Sequence, residues 1–445
     1  MPVDSLLSNE NAYRDCIHNA LKQAKKLGAE AAEATLVDSK GLSVTVRQQE
    51  IETLEFDQSK QLSISVFVNG CKANTNTSDF SSKRIKEVVK KAVEIARFTS
   101  VDKFAGLPLE SEMAWDYPSL DLYYPWDLTA EDAIATALEC EKYALKPKHI
   151  KRSDGVSIAS HDALKLYGNS HGFVGCYPAS KHSLSASVIA EEAGKMQRDY
   201  CYTISRQASL LESPKLVGQQ AAKKALAKLN ARQIKTGNYP VLFSPQMASG
   251  IFSHFLSAIA GTSVYRKASF LSDSLEKKVF PAFVRILEQP HIAAGMGSAP
   301  FDSEGVKNFS REIISDGILA SFNMDTYSAR KLNSTTTGNS GGVRNLVVQS
   351  GDLDFKAMLK ALGTGLYVTE LMGQGINIVT GDYSRGAAGF WVENGKIQFA
   401  VEEVTIASNL ASMFEKLTEI GSDVDVRGNI RTGSILIDEM TVAGA

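Results

Sequence analysis

Residues 247–261 read MASGIFSHFLSAIAG, and this stretch predicts the helix around which the second half of the chain is built. It follows an apolar run at residues 239–243, after which Ser244 suits an N-cap and Pro245 suits the first helical position. The large apolar side chains recur at helical spacing and predict one buried stripe, made by Ile251, Phe252, Phe255, Leu256 and Ile259. Gly261 is the predicted end of the helix.

One histidine, His254, lies beside that stripe on the more polar side of the predicted helix. A buried strand that leads into a histidine-bearing helix is typical of several zinc peptidases, but their helix also needs a second histidine and a glutamate. Here Phe255 follows the histidine, so we favour a histidine that hydrogen-bonds to a neighbour over a metal ligand. A site made by His254, His291 and one carboxylate stays open as an alternative. The candidate carboxylates for it are Glu402, Glu403 and Asp438.

The composition is that of an ordinary globular protein, because 44% of the 445 residues are hydrophobic and 22% are charged. This length leaves room for two or three domains. The formal net charge of −2 argues against a nucleic-acid-binding surface. We expect neither a secretory signal nor a membrane span, since no apolar run approaches roughly 20 residues. The five cysteines all precede residue 202 and form no Cys-x-x-Cys pair, which predicts free thiols in a cytoplasmic protein.

Two α+β units are predicted in the first half, at residues 1–98 and 128–232, joined by a proline- and aromatic-rich connector at residues 99–127. Asn69-Gly70 is a strong hairpin signal in the first unit. The predicted helices of the two units cover residues 10–27, 82–98, 129–145 and 213–229. The predicted strands cover residues 32–37, 42–47, 51–56, 61–68, 72–75, 156–159, 163–167, 172–176, 184–191 and 197–205.

Residues 233–445 are richer in glycine and are predicted to form a mostly antiparallel, barrel-like β domain with helices. Asp316-Gly317 and Asn394-Gly395 are strong signals for tight hairpins. Further strands are predicted at residues 376–380 and 434–437, and further helices at residues 353–362 and 409–420. The chain is therefore assigned to the α+β class, with two-layer N-terminal units and a C-terminal β-rich domain.

Three weaker motifs complete the candidate sites. Ser340 lies in GNSGG, which is similar to the nucleophile region of trypsin-like proteases, but a glycine-rich turn is the favoured interpretation because no matching histidine motif accompanies it. Residues 363–381 carry no phosphate-binding pattern and predict turns between strands. Loop arginines and tyrosines suit an extended peptide, although surface packing explains them equally well. These candidate peptide-binding residues are Tyr327, Arg330, Tyr383 and Arg385.

The chain resembles the TldD/PmbA family, and within it the PmbA (TldE) branch, which is also called modulator of DNA gyrase. The matching segments run in order along nearly the whole length. They are FAGLP at residues 104–108, NYPVL at 238–242, SHFLSA at 253–258, YRKASF at 265–270, DTYSARK at 325–331, TTGNSGG at 336–342, GDYSRG at 381–386 and GFWVENG at 389–395.

The resemblance implies a cytoplasmic metallopeptidase made of two related subunits, in which the TldD subunit holds zinc on an H-E-x-x-x-H helix with a cysteine as third ligand. Carried over to this chain, the first histidine falls on His254, the glutamate on Phe255 and the second histidine on Ile259. The third ligand has no counterpart, because no cysteine lies beyond Cys201. We therefore expect no catalytic residue, no metal ligand and no cofactor in this chain, and zinc only in the partner subunit.

This interpretation makes the chain the metal-free member of a TldD/TldE heterodimer that acts on peptides and on unfolded or labile proteins. It leaves a homodimer open for the isolated chain. Two alternatives remain. One is a metallopeptidase active in its own right through His254 and His291, and the other is a non-enzymatic regulatory protein that modulates a topoisomerase such as gyrase.

Overall fold

The computed structural model describes residues 6–444, and the first half of this range forms one antiparallel sheet with helices on one face. The helices of this half are α1 (Glu10–Lys26), α2 (Ser82–Ala96), α3 (Ala130–Ala144) and α4 (Pro214–Ala227). Its strands are β1 (Ala31–Arg47), β2 (Glu50–Val68), β3 (Cys71–Thr77), β4 (Ile150–Asn169), β5 (Val174–Glu192) and β6 (Lys195–Ser205).

The strand order of this sheet, among the described residues, is β3-β2-β1-β4-β5-β6. β1 pairs with β4, so the two predicted meanders share one sheet. Alternate residues of β1, such as Leu36 and Val44, are buried under the helices because successive side chains of a strand point to opposite faces. The other face of the sheet is turned toward the second half of the chain.

The predicted strands at residues 32–37 and 42–47 are one continuous strand, β1, and the predicted break between them is wrong. The polar run at residues 38–41 resembles a turn, but β1 is flanked by strands on both sides, so its backbone groups stay paired. The buried Asp38 carboxylate accepts a hydrogen bond from the Tyr13 hydroxyl at 2.6 Å and lies 3.5 Å from Lys60 Nζ. Three other pairs of predicted strands are also single continuous strands in the structure. They are residues 51–56 and 61–68 in β2, 156–159 and 163–167 in β4, and 172–176 and 184–191 in β5.

The second half of the chain contains a barrel, a smaller sheet and short helices. Its strands are β7 (Gly237–Phe243), β8 (Ile286–Glu288), β9 (Arg311–Ser315), β10 (Ile318–Leu319), β11 (Leu346–Val348), β12 (Gly365–Met372), β13 (Asp382–Glu393), β14 (Lys396–Asn409), β15 (Leu417–Ile420), β16 (Ile430–Arg431) and β17 (Ile435–Ala443). Its helices are α5 (Pro245–Ala258), α6 (Gly261–Tyr265), α7 (Thr326–Lys331), α8 (Phe355–Leu362) and α9 (Leu410–Glu415).

Within residues 6–444, a closed barrel is formed by the strands β14-β13-β12-β7-β17, because β17 pairs back onto β14. All of these pairings are antiparallel except that between β7 and β12. The predicted α+β class and the mostly antiparallel, barrel-like C-terminal domain are therefore confirmed. The second sheet has the order β10-β9-β8-β11-β16.

The three predicted tight hairpins are confirmed. Asn69-Gly70, Asp316-Gly317 and Asn394-Gly395 each join two paired antiparallel strands, and both residues of each turn have positive φ. Turns of this kind need the left-handed region, which glycine and asparagine adopt most easily.

Three other predictions for the second half are wrong in part. Residues 376–380 form a turn, with only an isolated bridge from Ile376 to Tyr383, and Ile376 and Ile378 pack on the core from this loop. Residues 409–420 contain only the short α9 before the chain turns into β15, which pairs with β17. Gly261 begins α6 instead of ending α5, and its lack of a side chain serves packing, because a Cβ there would lie 2.4 Å from Ser328 Oγ on α7. No helix of the described chain is both long and apolar enough to cross a bilayer.

Candidate functional site

A cleft of about 900 Å³ lies between the uncovered face of the N-terminal sheet and the C-terminal half. Its floor contains Val37, Lys165 and Tyr177, which are direct cross-strand neighbours on β1, β4 and β5. Its walls come from α5 and from loops of the C-terminal half, including the glycine-rich residues 341–344 and 427–429. This volume lies in the usual range for ligand sites.

The face of α5 that lines the cleft carries Ser253, Leu256 and Ser257, and Ala260 continues this wall between α5 and α6. The three positions on α5 follow the i, i+3, i+4 spacing of one side of a helix. Ser257 Oγ donates back to the carbonyl of Ser253 at 3.0 Å, which is a bond within the helix. No imidazole, thiol or carboxylate stands on this face of α5.

Phe255 and Ile259 lie on the opposite side of α5, inside the hydrophobic core. The Phe255 ring packs edge-on against Phe280 at 5.4 Å and Phe414 at 5.8 Å between centroids. A glutamate at the position of Phe255 would therefore be buried among aromatic rings, where an unpaired carboxylate is strongly disfavoured. When the H-E-x-x-x-H motif is aligned on His254, its glutamate and its second histidine fall on Phe255 and Ile259. Both of these positions lie in the core and not in the cleft.

His254 is half-buried and faces the barrel, with its ring centroid 6.3 Å from that of Tyr383. Burial, and next the positive charge of Arg385, lower the pKa of His254 below its usual 6.5. Both effects favour the neutral imidazole. It is not among the residues that line the cleft.

His291 and Ser340 also have structural partners. The His291 ring nitrogen Nε2 lies 2.8 Å from Asn308 Oδ1. The backbone N–H of Ser340 donates to Asp302 Oδ2 at 3.0 Å, and Ser340 lies in a turn with positive φ at Gly338, Gly341 and Gly342, as predicted. Within residues 6–444, no three histidine, cysteine or acidic side chains come close enough together to hold a metal ion.

The GNSGG turn rests on a buried ion pair. Arg311 Nε donates to Glu288 Oε2 at 3.0 Å, and both side chains are more than nine-tenths buried. Asn339 Nδ2 and the backbone N–H of Arg344 donate to Glu288 Oε1 at 2.8 and 2.7 Å. One carboxylate thus holds both ends of the loop that forms a wall of the cleft.

Tyr327 and Arg330 on α7 bind the connector instead of lining the cleft. The Tyr327 hydroxyl donates to Asp102 Oδ2 at 2.7 Å. The Arg330 guanidinium donates to the carbonyls of Phe104, at 3.2 Å, and Leu107. These contacts fasten the connector to the C-terminal half, and the predicted role in peptide binding stays a prediction.

Tyr383 and Arg385 share one face of β13, and neither lines the cleft. Only 1% of Tyr383 is exposed, and burial raises the pKa of its hydroxyl to about 12. Arg385 Nη2 lies 3.4 Å from the carbonyl of Leu371. The four predicted peptide-binding residues thus form two separate groups, both outside the cleft.

The cleft contains basic residues that sequence reasoning missed, namely Lys165, Arg206, Arg344 and Arg427. Arg427 is paired with Asp425 at 2.7 Å and stacks over the Tyr202 ring at 4.3 Å. Alternation along β4 predicts which face Lys165 occupies. Only the tertiary fold reveals that C-terminal loops cover that face.

Comparison with known proteins gives matches along nearly the whole chain. Models of the PmbA/TldA metallopeptidase family match as domain 1 at residues 32–96, central domain at residues 123–229 and C-terminal domain at residues 236–444. The metalloprotease PmbA of Escherichia coli O157:H7 is 44% identical over 443 residues, which cover 99% of this chain and 98% of that protein. The PmbA homologue of Haemophilus influenzae is 45% identical with the same coverage.

Solved structures share this fold. A protein of Bacteroides thetaiotaomicron, named as a candidate modulator of DNA gyrase, is 27% identical and superposes with a TM-score of 0.92 over 97% of this chain and 99% of its own. TldE of Thermococcus kodakarensis superposes with a TM-score of 0.86 over 96% of this chain and all of its own, at 18% identity, a likeness of fold alone.

Proposed function

Since this chain belongs to the PmbA/TldA metallopeptidase family, we propose that it is the metal-free subunit of a two-subunit metallopeptidase and that a TldD-like partner holds the zinc. The observation that carries the proposal is the composition of α5. Its cleft-lining face has two serines and a leucine, and neither of these residue types is a usual zinc ligand.

The proposed substrates are extended peptides and unfolded or labile proteins. The walls of the cleft contain Gly297, Gly341, Gly342 and Gly428, where no side chain stands between the cleft and the backbone. Exposed backbone of this kind suits a substrate that is recognised through its own main chain. The five free cysteines are consistent with the reducing cytoplasm in which we place the complex.

Metal analysis and co-purification together test the proposal. The purified chain is expected to contain no stoichiometric zinc and to cleave no peptide alone, whereas mixing with a TldD-like protein yields a stable heterodimer with zinc and peptidase activity. Stoichiometric zinc in the isolated chain that disappears in His254→Asn or His291→Asn would favour the self-sufficient enzyme instead. Failure to form a complex with the family's zinc-bearing subunit would contradict the partner role.

A second candidate function follows from the names of the solved relatives, which refer to modulation of DNA gyrase. A direct assay separates it from the first. We expect the purified chain to leave DNA supercoiling by purified gyrase unchanged at equimolar and tenfold excess concentrations. A dose-dependent change would favour the regulatory function.

A further inference from the structure

We propose that Lys165, Arg344 and the Tyr177 hydroxyl form a carboxylate-binding site in the cleft, and that this site holds the C-terminal carboxylate of an extended peptide. The inference rests on the proposed function, because it assigns an orientation to the peptide substrate. It concerns only residues of this chain and requires neither zinc nor a partner.

Lys165 lies in the middle of the cleft floor, directly opposite Tyr177 in the register of β4 and β5. Side chains in such cross-strand positions are about 5 Å apart at Cβ. Lys165 is half-buried and has no salt bridge or hydrogen bond to any carboxylate among residues 6–444. Burial, and next the positive charge of Arg344, lower the pKa of Lys165 from its usual value. The ammonium group thus lies near another cation without a paired anion.

Asp302, an acid whose charge acts on Lys165, compensates the positive charge of Lys165 only weakly. Its two carboxylate oxygens already accept the backbone N–H groups of Glu304, Val306 and Ser340. Burial, and next the neighbouring Glu304, raise the pKa of Asp302 to about 7. Near neutral pH this carboxyl group is therefore partly protonated, and it neutralises Lys165 only in part.

The Arg344 guanidinium has N–H donors that are available to a ligand. Its two terminal nitrogens make only long contacts, 3.5 Å to the carbonyl of Gly341 and 3.3 Å to that of Ser340. Its Nε is buried and has no partner in the described structure. A guanidinium offers five N–H donors in a planar fork that matches a carboxylate.

Arg206 adds a third positive charge. It is 8% exposed, and its nitrogens donate to the carbonyls of Ser180, Gly295 and Met296, which are neutral acceptors. Both Arg344 and Arg206 act electrostatically on the Tyr177 hydroxyl and oppose the rise in its pKa that burial causes. Three cations and one hydroxyl donor thus line the same cleft, and an anion bound there relieves the repulsion between the cations.

A peptide C-terminus suits this site better than an N-terminus, because the cations repel a peptide ammonium group. The apolar Leu256 on α5, and Ala260 just after that helix, suit the residues that precede the terminal carboxylate. An acidic side chain offers the same carboxylate chemistry, so the test must separate it from the chain end.

Fluorescence anisotropy with N-terminally labelled peptides tests the proposal on the full-length chain alone. Three peptides are compared: one with a free C-terminal carboxylate, the same peptide as a C-terminal amide, and an amide that carries an internal glutamate. We expect the free acid to bind at least about tenfold more tightly than either amide, since hydrogen bonds to a charged group are the stronger ones. The preference should be smaller in Lys165→Met and in Arg344→Gln.

Lys181→Met is the matched control, because Lys181 stands on the same strand and the same face as Tyr177 but is exposed and outside the cleft lining. It should keep the full preference. Equal affinity of acid and amide, tight binding of the glutamate-containing amide, absence of any binding, or an unchanged preference in Lys165→Met would each overturn the proposal. These results are independent of zinc content and complex formation, so they differ from a failure of the proposed function.

Discussion

Glu288 is the residue on which the cleft loop depends most. It is 1% exposed, pairs with the buried Arg311 and accepts from both Asn339 and Arg344. Removing one partner of a buried ion pair leaves the other charge uncompensated and costs about 3–5 kcal/mol. We expect Glu288→Gln to lower the free energy of unfolding by that amount, as measured by urea denaturation.

An exposed pair provides the control for this prediction. Lys416 Nζ lies 2.9 Å from Glu439 Oε1, and both side chains are largely solvated. Water and salt screen such a pair, so Glu439→Gln should leave the unfolding midpoint unchanged. A loss of stability in Glu288→Gln no larger than that in Glu439→Gln would show that the buried pair does not hold the loop.

His254 predicts a dependence of stability on pH. The pKa of His254 is lower in the folded protein than its usual 6.5, so below that pH the unfolded state binds more protons. Stability is therefore lost as the pH falls below 6.5. We expect His254→Gln to lose less stability than the unmodified chain between about pH 7.5 and 5.5. Urea denaturation at both pH values checks this, and equal losses would argue against a buried neutral imidazole.

At the scale of single elements, β13 contains two glycines that differ in the space available for a side chain. A Cβ on Gly389 would lie 1.9 Å from the carbonyl oxygen of Tyr367 on β12, whereas a Cβ on Gly386 would meet nothing closer than 3.4 Å. Gly389→Ala must push two barrel strands apart, and we expect it to lower the unfolding free energy by about 1–3 kcal/mol. Gly386→Ala is the control and should be neutral or slightly stabilising. Similar effects of both variants on the urea midpoint would contradict this account of the barrel.

At the scale of the whole molecule, α7 and the connector join the two halves of the chain. Arg330 donates to two connector carbonyls, and Tyr327 donates to Asp102. We expect Arg330→Gln to make residues 99–127 more susceptible to limited proteolysis while leaving peptide affinity unchanged. Lys356→Gln, at an exposed position on α8, serves as the comparison. Weaker peptide binding without faster cleavage would instead support the role predicted for Arg330 from the sequence.

Much of the fold could be predicted because its signals are local. The turns at Asn69-Gly70 and Asn394-Gly395 follow from residues that tolerate positive φ, wherever the rest of the chain lies. The buried stripe of α5 follows from helical spacing alone, except at Leu256, which is half-buried and lines the cleft. Strand length was not predictable, because the polar residues around Asp38 stay in β1 through pairing with β2 and β4 and through side-chain partners from α1 and β2.

The sequence by itself determined the hairpins, the helical stripes, the α+β class and the inventory of side chains available to any site. Tertiary structure alone decided that Ser253 and Ser257, not His254, face the cleft, and that Tyr327 and Arg330 bind the connector. The tertiary structure also placed Lys165 and Arg344 in the same cleft. The physical reason is the distance along the chain over which each interaction acts. Turn and helix preferences act between residues that are close in sequence, whereas a cleft forms where distant segments pack. The charged side chains that line the cleft therefore depend on how those segments pack.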